Sequence, residues 1–355
     1  MALPVRRPGP APSTSRSTSA TIQPNILRYL ASVADVHGID LRPVLKQVGL
    51  DETVMRSAAL RVSYRQGSTV IRRAIELTGD PHLGMKVGAA QHLTAWGLLG
   101  LALMADDTLQ AAVTTGVTYQ NLSGAMVVWS AGPAGDDFEL RVDLPDPGVD
   151  PGVAVFLVEE GLSSVVTLAR LTLGSGFRPR LVEFAFRAPR QTAAYEDFFG
   201  CPVRSGATVS RLVIDHASAR TAMPGRDPVT YASAIEMLDQ HMSSRRHQQE
   251  LLEVLEVSVA QSLPAVLSFA EQARQHASSE RTLRRRLADC GTTYEAVVDG
   301  VRRERVEQLL LRQELTFRDI AHRAGFSDER ALRRAVRRWH GTSPLRLRDR
   351  MVNGS

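Results

Sequence analysis

Arg281-Thr282-Leu283-Arg284-Arg285 returns 49 residues later as Arg330-Ala331-Leu332-Arg333-Arg334, and each copy runs on to a Gly-Thr step, Gly291-Thr292-Thr293 and Gly341-Thr342-Ser343. A pattern repeated together with its turn signals implies two copies of one supersecondary unit. Upstream of each copy stands a capping sequence, Ser268-x-x-Glu271 or Thr316-x-x-Asp319, which predicts short helices over 269–276 and 317–324. Tight turns follow at Ala277-Ser278-Ser279 and Gly325-Phe326-Ser327, where a glycine can supply a positive φ. The second helix of each unit then places Leu283, Leu287 and Cys290, or Leu332, Val336 and Trp339, at spacings of four and seven, and turns arginines outward. Two helices joined by so short a turn form a helix-turn-helix, whose second helix enters the major groove of DNA. Arginine suits that place because its guanidinium donates two parallel bonds to guanine O6 and N7 and also clamps phosphate. A single unit would equally describe an amphipathic hairpin with a solvated basic face; duplication of both pattern and charge favours DNA. Residues 294–311 between the units read as one long helix with Val298, Val301 and Leu309 on one side. At ~1.5 Å per residue it extends about 27 Å, enough to hold two recognition helices near the ~34 Å separation of successive major grooves.

Charge is divided along the chain in the same sense. Residues 264–350 hold nineteen arginines, no lysine and twelve acids, an excess of seven, so a net charge of +5 leaves the remainder at −2. A basic C-terminal part behind a mildly acidic one is the footprint of a chain that meets a polyanion at one end only.

Upstream, the 355 residues leave room for a second core. Residues 1–21, with four prolines, four serines, three arginines and no acid, predict a disordered tail. Over 22–103 the apolar period is helical: Leu27, Leu30, Val33 and Ala34 share one face and Val70, Ile71, Ala74 and Leu77 another, with Gly79-Asp80-Pro81 as a break. The period then changes to two. Val127-Val128-Trp129 leads through Gly132, Pro133 and Gly135 into the alternating Phe138, Leu140, Val142 and Leu144, a hairpin stopped by Pro145 and Pro147. A helix over 153–173, a strand over 181–186, a short helix over 195–199 and strands over 202–204 and 212–214 complete an α+β domain without regular βαβ alternation. Met223-Pro224-Gly225-Arg226-Asp227-Pro228 breaks any element. The apolar face of Tyr231, Ile235, Leu238 and Met242 follows, then that of Leu252, Leu255 and Val259, in an all-α region. The resulting scheme is a tail at 1–21, an α+β domain at 22–223, which the resemblance given next implies to be an effector-sensing and oligomerisation domain, a linker and connecting helix at 224–250, and a double helix-turn-helix domain at 251–350.

Ala321-x-x-Ala324-Gly325-Phe326, Leu332-Arg333-Arg334, Arg338-Trp339 and Gly341-Thr342-Ser343-Pro344 resemble the C-terminal signature of AraC/XylS-type bacterial transcription regulators, over about residues 250–350. The resemblance implies a seven-helix module with base-reading positions at Arg281, Arg284 and Arg285 in the first unit and at Glu329, Arg330, Arg333 and Arg334 in the second. This chain departs from the family pattern at Val336, where phenylalanine is common, and at His276 and Ser278, where apolar side chains are usual. Leu77-Thr78-Gly79-Asp80-Pro81-x-Leu83-Gly84, Gly97-Leu98-Leu99-Gly100 and Tyr195-Glu196-x-Phe198-Phe199-Gly200-Cys201-Pro202-Val203 are similar to the effector domain of the ornithine-utilisation and VirS-like subgroup. That domain carries an arabinose-binding-like label, although the His-rich cupin pattern of sugar-binding regulators is absent from this sequence. The partners implied are double-stranded DNA, a small-molecule effector, RNA polymerase and a second copy of the chain.

Other chemistries find little purchase. The nine histidines form no H-x-x-E-H, H-E-x-x-H or Cys/His cluster, so neither a metal nor another cofactor is expected. Cys201 reads as a small buried hydrophobe, with a reactive sensor thiol as the alternative. A DNA-repair alkyltransferase would need a Pro-Cys-His-Arg segment, which does not occur. Glu159-Glu160 lies mid-helix without a partnering acid at a useful spacing, and no Gly-rich phosphate loop or G-x-S-x-G is present, so an enzyme is not expected. The alternatives are an architectural DNA binder of the nucleoid, which would rely on backbone contacts alone, and an unrecognised activity within 22–228. Two lone cysteines agree with a reducing compartment. Arg6 and Arg7 without an apolar h-region argue against a secretory leader, and no run of about 18 uncharged apolar residues predicts a membrane span. The expected location is the cytoplasm, on the nucleoid.

Overall fold

A computed structural model describes residues 22–353 apart from 52–54, 56, 58–59, 147 and 188–192. The expected tail and the stop at Pro147 lie outside the described residues. The chain divides into two compact units between Met242 and Ser243.

Local chemistry sets the first unit's helices. These are α1 (Asn25–Val36), α2 (Arg42–Gln47), α3 (Tyr64–Thr78), α4 (Leu83–Ala89), α5 (Gly97–Ala105) and α6 (Leu109–Thr118). Ser63 accepts from the Gln66 N–H while Gln66 accepts from the Ser63 N–H, a full capping box for α3, and Gly79 closes that helix at φ 60°. Leu27, Leu30 and Ala34 of α1 and Val70, Ile71 and Ala74 of α3 are buried as their spacing predicts, whereas Leu77, in the last turn, is exposed. The expected hairpin is β1 (Val128–Ala134) with β2 (Asp137–Asp143), turned at Gly135 with φ 67°.

The long helix α7 (Pro151–Leu173) starts two residues before its predicted bound because Asp150 caps it, accepting from the N–H of Gly152 and Val153 at 2.9 and 3.1 Å. By length and apolarity α7 is long enough to cross a membrane, but 72% of its apolar window is buried, as in the core helix of a folded domain. After it come β3 (Leu181–Phe184), α8 (Ala193–Phe199), β4 (Val203–Ser205), β5 (Ser210–Ile214) and α9 (His216–Ala219). Among the described residues the sheet has five strands in the order β1-β2-β5-β3-β4, antiparallel except for the β3–β4 pair. Phe138, Val142, Val182, Phe184, Leu212 and Ile214 on its inner face join the core with Phe156, Leu157 and Val166 of α7. The α+β class read from the sequence is therefore the class observed.

α4 and α7 meet at backbone distance. A Cβ at Gly84 would collide with the Phe156 carbonyl oxygen, and one at Gly88 with the Glu160 carbonyl oxygen and Ser163 Oγ. Two glycines four residues apart open one face of α4 to the flank of α7.

Helix α10 (Pro228–Ser262) begins in the first unit and ends in the second. Its early turns bury Ala234 and Leu238 against Leu99, Ala102, Tyr119 and Leu122. Tyr119 Oη donates to Asp239 at 2.7 Å, and the Tyr231 hydroxyl lies 3.1 Å from Thr115 Oγ1, which itself donates to Asp106. The apolar face after the Pro-rich break is thus occupied by the first unit's own helices.

The second unit continues with α11 (Phe269–Gln275), α12 (Glu280–Asp289), α13 (Tyr294–Leu310), α14 (Phe317–Arg323), α15 (Glu329–His340) and α16 (Pro344–Asn353). It has two small cores. Val297, Val298 and Val301 of α13 pack with Leu255, Val259, Ala273, Leu283 and Leu287, whereas Val306, Leu309 and Leu310 pack with Ile320, Ala321, Leu332, Val336 and Leu347. One helix thereby supplies both helix-turn-helix units, and its 17 residues extend about 26 Å.

Candidate nucleic-acid interface

Both predicted capping boxes are formed: Ser268 with Glu271 at the start of α11 and Thr316 with Asp319 at the start of α14. The turns that follow differ by a residue. α11 and α14 start 48 residues apart, but α12 and α15 start 49 apart, so the second turn is longer. Gly325 takes φ 76° in that turn; its counterpart in the first is Ala277 at φ 46°, an L-residue in the left-handed region that glycine occupies more cheaply. Ser279 and Asp328 then cap α12 and α15. Leu283, Leu287, Leu332 and Val336 are buried as predicted, while Cys290 and Trp339 are only half-buried.

The polar residues that depart from the family pattern in the first unit have partners. Fully buried Gln272 donates to His276 at 2.9 Å and lies 3.3 Å from Ser258. A hydrogen-bonded pair thus stands where an apolar contact is usual, which satisfies the buried amide.

The six predicted arginines are all exposed on their recognition helices, and Glu329 is half-buried. Pairing sorts them into two matched sets. Arg284 lies 3.9 Å from Glu280 and 5.1 Å over the Phe269 ring, and Arg333 reaches Glu329 at 2.5 Å, each a pair one helical turn apart. Arg281 and Arg285 of α12, and Arg330 and Arg334 of α15, carry no ion pair or hydrogen bond among the described residues. The N–H donors of these four guanidiniums are unbonded among the described residues. They occupy equivalent places in the two helices.

Two residues of α13 missed by pattern reading hold the second unit, Asp299 tying α15 and Arg302 the turn before it. Asp299 accepts from Arg338 Nη2 at 2.5 Å and from Trp339 Nε1 at 2.7 Å, and Arg302 Nη2 donates to the Gly325 carbonyl at 2.7 Å with its guanidinium over Phe326. Sequence alone offered no signal, since the partners lie 39, 40 and 23 residues away.

The first unit holds a buried polar cluster that the sequence showed only as Glu159-Glu160. Both carboxyls are buried, at 1% and 4% exposure. Glu159 accepts from the Tyr195 hydroxyl, and burial still raises it to about 7 against the opposing bonds from Tyr195 and the N–H groups of Met85 and Gly84. Glu160 accepts from the Gln91 amide, whose oxygen in turn accepts from Trp96 Nε1 at 3.1 Å; burial raises Glu160 to about 8. His82 is 6% exposed, stacks edge-on against Tyr195 at 4.7 Å, and has no partner on either ring nitrogen among the described residues, so burial lowers its pKa.

A pH dependence follows with a definite sign. Between the ordinary value of 4.5 and about 8 the folded state keeps on Glu160 a proton that the unfolded chain has lost, so stability falls as pH rises through that window and levels off above it. Glu160→Gln is expected to flatten this fall, by on the order of a few kcal/mol between about pH 5 and about pH 8. Denaturant unfolding of both proteins across that range checks it; identical slopes would remove the assignment.

Cys201 is half-buried beside Arg170, and burial pushes its thiol up to about 11. It stays protonated at neutral pH and lacks the thiolate that reactive cysteines require. Among the described residues no three His, Cys, Asp or Glu side chains converge as a metal site.

An α+β domain followed by two helix-turn-helix units presenting matched arginines defines a DNA-binding transcription regulator. Residues 38–223 match the model of the arabinose-binding domain of AraC transcription regulators, N-terminal, and residues 272–350 match a helix-turn-helix domain. The chain belongs to the AraC family of transcription regulators. It is 25% identical over 317 residues to the ornithine utilization regulator of Pseudomonas aeruginosa, covering 88% of this chain and 92% of that one. It is 30% identical over 207 residues to the regulator VirS of Mycobacterium tuberculosis, covering 56% and 59% respectively. A crystal structure of the regulator CdpR from P. aeruginosa aligns with 92% of this chain and 98% of its own at 24% identity and a TM-score of 0.46.

Proposed function

We propose that this regulator reads specific base pairs through Arg281, Arg284 and Arg285 of α12 and Glu329, Arg330, Arg333 and Arg334 of α15, and that a small-molecule effector bound by the first unit controls it. The observation that carries the reading is the matched set of unpaired guanidiniums on α12 and α15. Arg281 and Arg285, with Arg330 and Arg334, are the principal base readers; Arg284 and Arg333 share their donors with a glutamate of their own helix. The first unit acts by binding and not by turnover. Its buried Glu159 and Glu160 are engaged by Tyr195 and Gln91. The sensor domain spans the first unit, α10 carries its state to the reading module, and the protein works in the cytoplasm on promoter DNA with RNA polymerase.

The reading also includes a homodimer. Two copies offer four helix-turn-helix units to repeated half-sites, which raises specificity over a genome of competing sequence. Because the early face of α10 is buried within its own chain, the dimer uses another surface of the first unit. Footprinting on DNA upstream of the chain's own gene, followed by sedimentation of the complex, tests both parts. A protected site with two protein copies is expected. A strictly monomeric chain bound 1:1 to one half-site would remove the dimer, and equal protection of random DNA would remove base reading.

A further inference from the structure

The outer face of the sheet, the face turned away from α7, holds a cavity of about 540 Å3, a size in the range of small-molecule sites. Strand register dictates which side chains share this face, Glu183 lying beneath the lining residues. One row crosses the sheet through Arg204, Glu183, Arg211 and Arg141 on β4, β3, β5 and β2. The next row brings Leu181 and Val213 side by side, with Glu139 beyond them. On β1 the positions opposite Glu139 and Asp137 are Gly132 and Ala134, so that end is open for want of side chains.

The charges do not balance. Glu139 and Glu183 are buried, at 5% and 8% exposure, beneath the arginines. Arg211 bridges them at 2.6 Å to each, Arg141 also pairs with Glu139, and Arg180 holds both oxygens of Asp137 at 3.0 and 2.7 Å. Arg204 comes no nearer to Glu183 than 3.7 Å, and its side chain is 70% exposed. Four guanidiniums thus meet three carboxylates, and Arg204 is left with most of its five N–H donors unused. Beside it lies an apolar strip of Pro202, Leu181 and Val213. At ~4.8 Å between strands, the strip from β4 to β5 is about 10 Å wide, the reach of a short hydrocarbon chain.

We propose that this face binds a short aliphatic carboxylate, its carboxylate received by Arg204 and its chain laid across Leu181 and Val213. A carboxylate there takes two parallel N–H···O bonds from a guanidinium that has no close partner. The chain covers apolar area that exposed Pro202 and half-buried Leu181 leave in water, with buried Val213 as the floor beneath it. The proposal names the chemistry of the effector and rests on the effector-binding reading of this unit.

The test uses the full chain at fixed ionic strength, with hexanoate, adipate and the amino acid norleucine as probes and hexanamide as the uncharged control. Calorimetry is expected to show saturable binding of at least one carboxylate and none of the amide; adipate and norleucine report whether a second carboxylate or an ammonium is accepted. Arg204→Gln is expected to weaken binding at least tenfold and Arg204→Lys to restore part of it, with unchanged unfolding midpoints in the absence of probe because the residue sits exposed on an edge strand. Leu181→Asn, a second variant, is expected to weaken binding while leaving the charge in place. No saturable binding by any carboxylate, equal binding of the amide, or full binding by Arg204→Gln would overturn the site. DNA affinity measured in the same samples separates the two readings. Binding at Arg204 without any change in DNA affinity leaves the site standing and removes its regulatory role, while a metabolite that shifts DNA affinity equally in Arg204→Gln and wild type keeps an effector and removes this site.

Discussion

Replacing Gly88 by alanine is expected to cost the first unit about 3 kcal/mol of stability, at the upper end for overpacking a core. The reason is what the new methyl group would meet. Its neighbours are the Glu160 carbonyl oxygen, the Ser164 nitrogen and Ser163 Oγ, and Ser163 is itself bonded to the Glu159 carbonyl at 2.6 Å. Backbone atoms of a buried helix cannot rotate away as the end of a flexible side chain can, so α4 must lift from α7. That movement pulls Gly84 and Met85, whose N–H groups face Glu159, away from the carboxyl. Denaturant unfolding followed by tryptophan fluorescence measures the loss, because Trp96 and Trp129 report on the first unit. A change below about 1 kcal/mol would show that the helices part without penalty. Gly84→Ala, one turn away on the same face, is expected to act in the same direction and not additively, since one displacement relieves both clashes.

Arg285→Ala and Arg334→Ala are each expected to weaken specific DNA binding by about 1–3 kcal/mol and to relax preference at particular base pairs. Both guanidiniums are exposed and without an internal partner, so their removal leaves the fold of either unit intact. Arg284→Ala and Arg333→Ala make the informative comparison. Their side chains already lie against Glu280 and Glu329, and a smaller loss is expected from each. Gel-shift titrations on the footprinted site and on random DNA, at one salt concentration, decide the matter. Should Arg285→Ala and Arg334→Ala lower affinity equally for both DNAs, these residues contact phosphate, and the base-reading assignment fails.

The two helix-turn-helix units were legible because each of their determinants is local. A capping box needs residues three apart, a recognition helix needs apolar positions three or four apart, and a turn needs two or three residues. Ser268, Glu271, Leu283 and Leu287, with Thr316, Asp319, Leu332 and Val336, satisfy these conditions within stretches of about twenty residues. The hairpin of β1 and β2 and most of the span of α7 were legible for the same reason, through alternation in the first and a long apolar run in the second.

Tertiary structure decided what depends on partners remote in the chain. Glu159 and Glu160 gave no hint of Tyr195 or Gln91, 36 and 69 residues away, because hydrogen-bond partners of buried carboxyls are chosen by which helices pack together. The place of β5 between β2 and β3 sets Arg211 between Glu139 and Glu183, and no pattern within a three- to seven-residue strand specifies its neighbours. Repeated arginines announced two recognition helices; the Glu280–Arg284 and Glu329–Arg333 pairs are local, four residues apart, whereas the seat of Arg284 over Phe269 exists only in the folded chain. The sequence by itself determined the hairpin, the apolar body of α7, the two capping boxes and the repeated unit, since these follow from steric and hydrogen-bond rules over a few residues; it did not show α6, α9 or the Asp150 cap of α7. Packing determined which charges are buried, shared or unpaired, since desolvation and ion pairing depend on surroundings assembled only when distant segments meet.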